Sequence, residues 1–212
     1  MENAQLNTFF DQTVSDDVFV ANPLTLEYAN RIFTFFQNHW LFMWDNANND
    51  CEDRANAITL LLEAWNIPNY KGWVFSGFFL KNEQGTLTNL WNYHVAPLIP
   101  VSINNVIEFY SIDPATQSQA QPVSWWANNV TDLPFSYYVI KQSMYYIFPA
   151  EMIQTDNWHI RNDENYTWTI EGLAGLNGAS PEGEAMIQSN QRLIEKTKRE
   201  FNRLKNGGSP FR

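Results

Sequence analysis

Apolar side chains recur at helical spacing in the first third of the chain and alternate in the middle third. Residues 4–14 present Leu6, Phe9 and Phe10 and predict a short helix. A second helix is marked more strongly. Asn22 stands as cap and Pro23 at the first helical position, followed by Leu24, Leu26, Tyr28, Ile32, Phe33, Phe35, Phe36, Trp40, Phe42 and Trp44. So aromatic a segment has to be largely buried. A third helix is predicted from Cys51 to about Trp65. Asn48, Asn49 and Asp50 supply its capping groups, Ala55, Ile58, Leu61 and Leu62 recur along one face, and Ile67-Pro68-Asn69 stops it.

Beyond residue 70 the period shortens toward two. Gly72 to Leu80 reads as a strand, Lys81 to Gly85 as a turn, and Leu90 to Val101 as a second strand. Asn104 and Asn105 mark another turn before a third strand, Val106 to Asp113, which Pro114 closes. Residues 115–134, rich in Gln, Ser, Pro and Asn, predict a surface excursion anchored by Trp125 and Trp126. Ser136 to Phe148 reads as one long strand or a strand pair. The glycines at 172, 175 and 178 are read as a hinge, because no Lys-Ser/Thr follows to make a phosphate loop. Ser180 and Pro181 then open a charged helix carrying Ile187, Ile194, Phe201 and Leu204, and the residues from Gly207 onward should be loose.

These elements define an α+β fold in which an antiparallel sheet packs against helices. The expected organisation is one domain over 1–171, with a core at 45–150 and N-terminal helices at 1–44 packed on it. A glycine-rich hinge at 172–180 and a C-terminal helix and tail at 181–212 follow. That helix offers a face for docking on the domain or on a partner.

Composition narrows the functional classes. The 212 residues are 44% hydrophobic and 16% aromatic, enough for one substantial core. A formal net charge of −10 disfavours nucleic acid as a partner, since phosphate binding rests on Lys and Arg clusters. One cysteine and three scattered histidines give neither a disulfide framework nor a metal-ligand spacing, so no metal or cofactor is expected. No apolar stretch is long enough to cross a membrane, and the opening residues, with no basic segment or apolar run, predict no secretory leader. Compartment stays open between the cytoplasm, export without a cleaved leader, and a chain trimmed at its start.

The chemistry concentrates on Cys51, His94 and Asp113. Cys51 falls in the first turn of its helix, where free N–H groups and the helix dipole favour a thiolate, while Glu52 and Asp53 oppose it. A compensating cation is needed, either Arg54 or a histidine brought in by the fold. In the hairpin turning near residues 103–104, facing positions sum to about 207, which sets His94 opposite Asp113. An aspartate beside an imidazole fixes its tautomer and raises its basicity, leaving the other ring nitrogen to take a proton from a thiol. A Cys-His-Asp nucleophilic site follows if the helix docks at this edge. The plainer alternatives are a buried cysteine, a satisfied strand histidine and an Asp-Pro strand stop. His39, among aromatics, reads as packing, as do Trp91 and Tyr93, which alternation puts on the face opposite His94.

Three segments carry a family resemblance. Cys51-Glu-Asp-Arg54-Ala55, Trp91-Asn-Tyr93-His94-Val95-Ala96 and Ile112-Asp113-Pro114 resemble, in order and separation, the Cys-x-x-Arg-Ala, Trp-x-Tyr-His-Val-Ala and Ile-Asp-Pro motifs of bacterial protein glutaminases. The resemblance covers residues 51–114 and implies a papain- and transglutaminase-like core. It also implies Cys51 as nucleophile, His94 as general base and acid, Asp113 as orienting residue, and deamidation of glutamine in proteins or peptides, with no cofactor. Secreted members of that family have disulfides, which one cysteine cannot form. The same triad would serve a transglutaminase-like acyltransferase or a cysteine peptidase. A non-catalytic binding module using the C-terminal helix is the third reading.

Overall fold

The computed structural model describes residues 13–14, 22–44, 51–75, 80–82, 85–88, 93–130, 137–142, 146–151, 154–160, 163–178 and 184–211. Its chief sheet has six strands in the order β1 (Thr13–Val14), β8 (Tyr137–Gln142), β2 (Tyr70–Phe75), β5 (Tyr93–Ile103), β6 (Val106–Ser111) and β7 (Gln121–Pro122). Only β1 runs parallel to its neighbour; the other pairings are antiparallel. Two hairpins stand apart, β3 (Leu80–Asn82) with β4 (Gly85–Thr88) and β9 (Tyr146–Glu151) with β10 (Gln154–Ile160). The helices are α1 (Leu26–Asn38), α2 (Cys51–Ala64), α3 (Val123–Asn129), α4 (Asp163–Leu176) and α5 (Glu184–Asn206). The α+β architecture with an antiparallel sheet against helices is therefore the one the periodicities predict.

Helix α2 is the scaffold's axis. Ten of the twelve positions from Cys51 to Leu62 are buried, including Arg54, Asn56 and Thr59, because the helix is covered by the sheet on one side and by α4 and α5 on another. A polar chain runs through this contact. Lys71 on β2 is fully buried, its Nζ donates to Asn56 Oδ1 at 2.9 Å, and Asn56 Nδ2 donates to Thr169 Oγ1 on α4 at 2.6 Å. Burying an ammonium is tolerable only when its donors are engaged, so this chain fixes β2, α2 and α4 together.

Several boundaries differ from the sequence reading, each for a backbone reason. Helix α1 is capped by Thr25, whose Oγ1 accepts from the Tyr28 N–H at 3.2 Å, and not by Asn22. Asn22 takes a left-handed φ of 56°, and Leu24 is drawn into a parallel bridge with Val101, so neither is available to the helix. The helix ends at Asn38 because His39 is extended; Trp40, Phe42 and Trp44 reach the aromatic core from a loop. Of the helix expected over residues 4–14, only 13–14 fall among the described residues, and these form β1. The capping residues Asn48 to Asp50 and the Ser180-Pro181 helix start lie outside them.

Residues 172–176 are not a hinge. Gly172 and Gly175 sit inside α4, which the sequence reading missed, and Gly172 lets α4 close on Asp53 of α2, whose carboxyl occupies the space a Cβ would take. The tail is not loose either. Phe211 is buried, with its ring centroid 5.6, 5.5 and 5.8 Å from those of Tyr28, Phe35 and Trp65. Phe201 and Leu204 of α5 join the same core, Ile194 packs at its edge, and the Ile187 side chain lies outside the described residues. Residues 115–134 hold α3 and a fully buried Trp126, while Trp125 is exposed. Among the described residues no helix is long and apolar enough to cross a membrane.

Candidate active site

The β5–β6 hairpin delivers the histidine and the aspartate. Asn104 and Asn105, both left-handed with φ of 51° and 66°, close a two-residue turn, and facing positions sum to 209: Leu98 pairs with Ser111 and Ile103 with Val106. The expected sum of 207 is thus two too small. A slip of two residues keeps every side chain on its face, and β6 stops at Ser111, so Asp113 approaches His94 from just beyond the strand. His94 Nε2 and Asp113 Oδ2 are 2.8 Å apart, with 4% and 2% of each residue exposed.

The turn after Pro114 supplies the rest of the aspartate's shell. The Asp113 carbonyl accepts from the N–H groups of Thr116 and Gln117 at 3.0 and 3.1 Å. That folds Thr116 back so that its hydroxyl donates to Asp113 Oδ2. Trp126 Nε1 on α3 donates to the same oxygen at 2.9 Å, and its ring lies 5.8 Å from the imidazole. Burial alone would push this carboxyl up. The His94 charge and the hydrogen bonds from His94, Thr116 and Trp126 outweigh it and hold the group below the usual carboxylate range.

Cys51 is the first residue of α2, 5% exposed, and packs in the core cluster that includes Val95 and Trp126. Among the described residues its sulfur has two hydrogen-bond partners. The thiol donates to Glu52 Oε2 at 3.2 Å, and the backbone N–H of Val95, next to His94, points at the sulfur. Burial, then the Glu52 charge and hydrogen bond, push the thiol well above its ordinary range; the Val95 N–H and Arg54 pull the other way without reversing it. Arg54 is occupied elsewhere, its Nε donating to the Phe42 carbonyl at 2.9 Å and its guanidinium 5.5 Å from the Trp44 ring centroid.

The structure therefore joins His94 to Asp113 directly and sets Cys51 against the neighbouring residue of β5. The thiol bonds to Glu52 and not to the imidazole. Tyr93, read as packing, has its hydroxyl 3.5 Å from Glu52 Oε1, and burial followed by the charges of Glu52 and Cys51 raises its phenol. Thr116 and Trp126 were missed as donors to Asp113. The three-residue step from Asp113 to Thr116 is the only signal that could have found one of them. His39 is a packing residue as expected, stacked on Trp40 and packed against Phe35 and the edge of Phe42, with Nε2 3.2 Å from Glu200 Oε1. Among the described residues no three acidic, histidine or cysteine side chains gather to hold a metal.

Residues 29–130 match the protein family described as glutaminase. No curated protein sequence matches the chain. Among solved structures, a crystal structure of protein-glutaminase is similar over 78% of this chain and 97% of its own, with a TM-score of 0.58 and 16% identity. The NMR structure of protein-glutaminase from Chryseobacterium proteolyticum is similar over 76% and 92%, with a TM-score of 0.52 and 17% identity. A crystal structure of pro-protein-glutaminase matches over 78% of this chain with a TM-score of 0.57 at 17% identity, and this chain spans 64% of its length. Likeness at such identities speaks for the fold.

Proposed function

We propose that this chain, whose residues 29–130 match the family described as glutaminase, is a cysteine-dependent protein glutaminase, hydrolysing glutamine side chains of proteins or peptides to glutamate and ammonia. The observation that carries this reading is the buried pair of His94 Nε2 and Asp113 Oδ2 at 2.8 Å, beside a lone cysteine that opens a helix. Asp113 fixes the imidazole with Nε2 engaged, so Nδ1 is the nitrogen that serves the sulfur.

The chemistry then follows from proton positions. With its thiol pushed up by burial and Glu52, Cys51 rests as a neutral S–H, and the proton passes to His94 as the sulfur attacks. The sulfur adds to the side-chain amide carbon, and N–H groups at the start of α2 hold the oxyanion. Protonated His94 gives its proton to the departing nitrogen, the C–N bond breaks, and ammonia leaves a γ-glutamyl thioester. Water, deprotonated by His94, hydrolyses the thioester to glutamate and restores the thiol.

Incubation with a mixed protein substrate tests the reading. The wild type should release ammonia and add 1 Da at glutamines without cutting the backbone, and Cys51→Ala should abolish both, with turnover falling by about 10⁴ or more and the circular dichroism spectrum unchanged. Backbone cleavage, or turnover that survives Cys51→Ala, would refute it.

A further inference from the structure

One carboxylate in this site holds the resting thiol and meets no substrate in the steps above. Glu52 places Oε2 3.2 Å from the Cys51 sulfur and Oε1 3.5 Å from the Tyr93 hydroxyl, so a single acidic group bridges the nucleophile and the residue that precedes His94. We infer that Glu52 is a specificity residue that selects the neutral carboxamide and rejects the carboxylate it becomes. The inference rests on the deamidase reading for its substrate, and its geometry is independent of it.

The argument is one of donors and charge. An ionised carboxylate only accepts hydrogen bonds. A carboxamide poised for attack carries its NH₂ one covalent bond from the carbon that the sulfur approaches, and its two N–H groups are the donors a carboxylate at this distance can use. In the free protein the thiol and the Tyr93 phenol fill those positions. When the amide arrives, its N–H takes over from the thiol at Oε2, which frees the S–H for His94 and turns the amide nitrogen toward the acid that must protonate it. The product brings two oxygens and a negative charge to the same place. It has no donor to offer and meets like charge in a shielded site, where such repulsion is only weakly screened. A site that hydrogen-bonds an N–H discriminates strongly against an analogue lacking it, and here the charge adds to that.

Two alkylating reagents of nearly equal size test this without any substrate. Iodoacetamide carries the carboxamide and iodoacetate the carboxylate. The ratio of their second-order rates at Cys51, followed by intact mass at pH 8, should exceed the ratio for glutathione by about tenfold or more. Glu52→Gln and Glu52→Ala should bring it to within about twofold of glutathione. Glu27→Gln, which removes one charge from an exposed position elsewhere, should leave the wild-type ratio intact and so separates the local effect from net charge. A ratio equal to glutathione's in the wild type, or unchanged in both Glu52 variants, overturns the inference. Should burial hold both reagents below detection, product inhibition decides. A glutamyl product peptide should inhibit Glu52→Gln about tenfold more tightly than the wild type, and equal inhibition overturns the inference. Absence of ammonia release from every glutamine substrate sinks the deamidase reading, while the alkylation ratio still judges Glu52.

Discussion

Asp113 accepts hydrogen bonds from three side chains, and what it contributes depends on pH. Its carboxyl is lower in the folded protein than in the unfolded chain, so its stabilisation is full above the unfolded value and disappears as pH falls through the folded one. Trp126→Phe removes one donor while keeping an aromatic ring in the core. The folded carboxyl then rises toward its ordinary value. We expect the acid unfolding midpoint, followed by circular dichroism, to move to higher pH, and the neutral-pH stability to fall by about 1–3 kcal/mol. The pairing of His94 with Asp113 was legible in the sequence because hairpin arithmetic preserves parity; an error of two in the sum still puts both on one face. The donors Thr116 and Trp126 were not legible, since a turn that folds a side chain back on its own aspartate leaves no periodic trace. Nor was the contact between Cys51 and Glu52, because adjacent helical residues do not ordinarily face each other.

Elements were legible where one period persisted. Helix α2 begins and ends within a residue of its predicted limits, and β5 and β6 flank the turn that the two asparagines mark. Helix α4 was hidden because glycines at 172, 175 and 178 imitate a loop. Two of them lie within the helix, and only Gly178, with φ of 100°, sits past its end in a conformation that favours glycine. Gly172 is a packing residue, which gives a test of the α2–α4 contact. Gly172→Ala would improve helix propensity by about 1 kcal/mol in isolation. In the protein its methyl would overlap the Asp53 carboxyl, two residues from the proposed nucleophile. Net destabilisation of about 1–3 kcal/mol by urea denaturation is expected, together with a changed alkylation rate at Cys51. A stabilised variant would show that α4 does not bear on α2 in this way.

At the scale of the molecule, the C-terminal helix and tail belong to the core that the first helix begins. The expected boundary at residues 172–180 fails physically at its helical end, because Leu173 and Leu176 of α4 share one apolar cluster with Phe201 and Leu204 of α5. Sequence could show that α5 had an apolar stripe, and it could not show which surface the stripe would meet. Phe211→Ala should cost about 3 kcal/mol and lower Tm by about 6–12 °C in a scanning calorimetry trace, even though the residue is far along the chain from the proposed site. The buried ammonium of Lys71 has a different consequence. Amine-directed acylating reagents will modify surface lysines at once and spare this one for as long as β2 stays against α2. The peptide containing it therefore gains mass only in molecules that have opened, and its labelling rate keeps time for the opening of a protein already acylated on its surface.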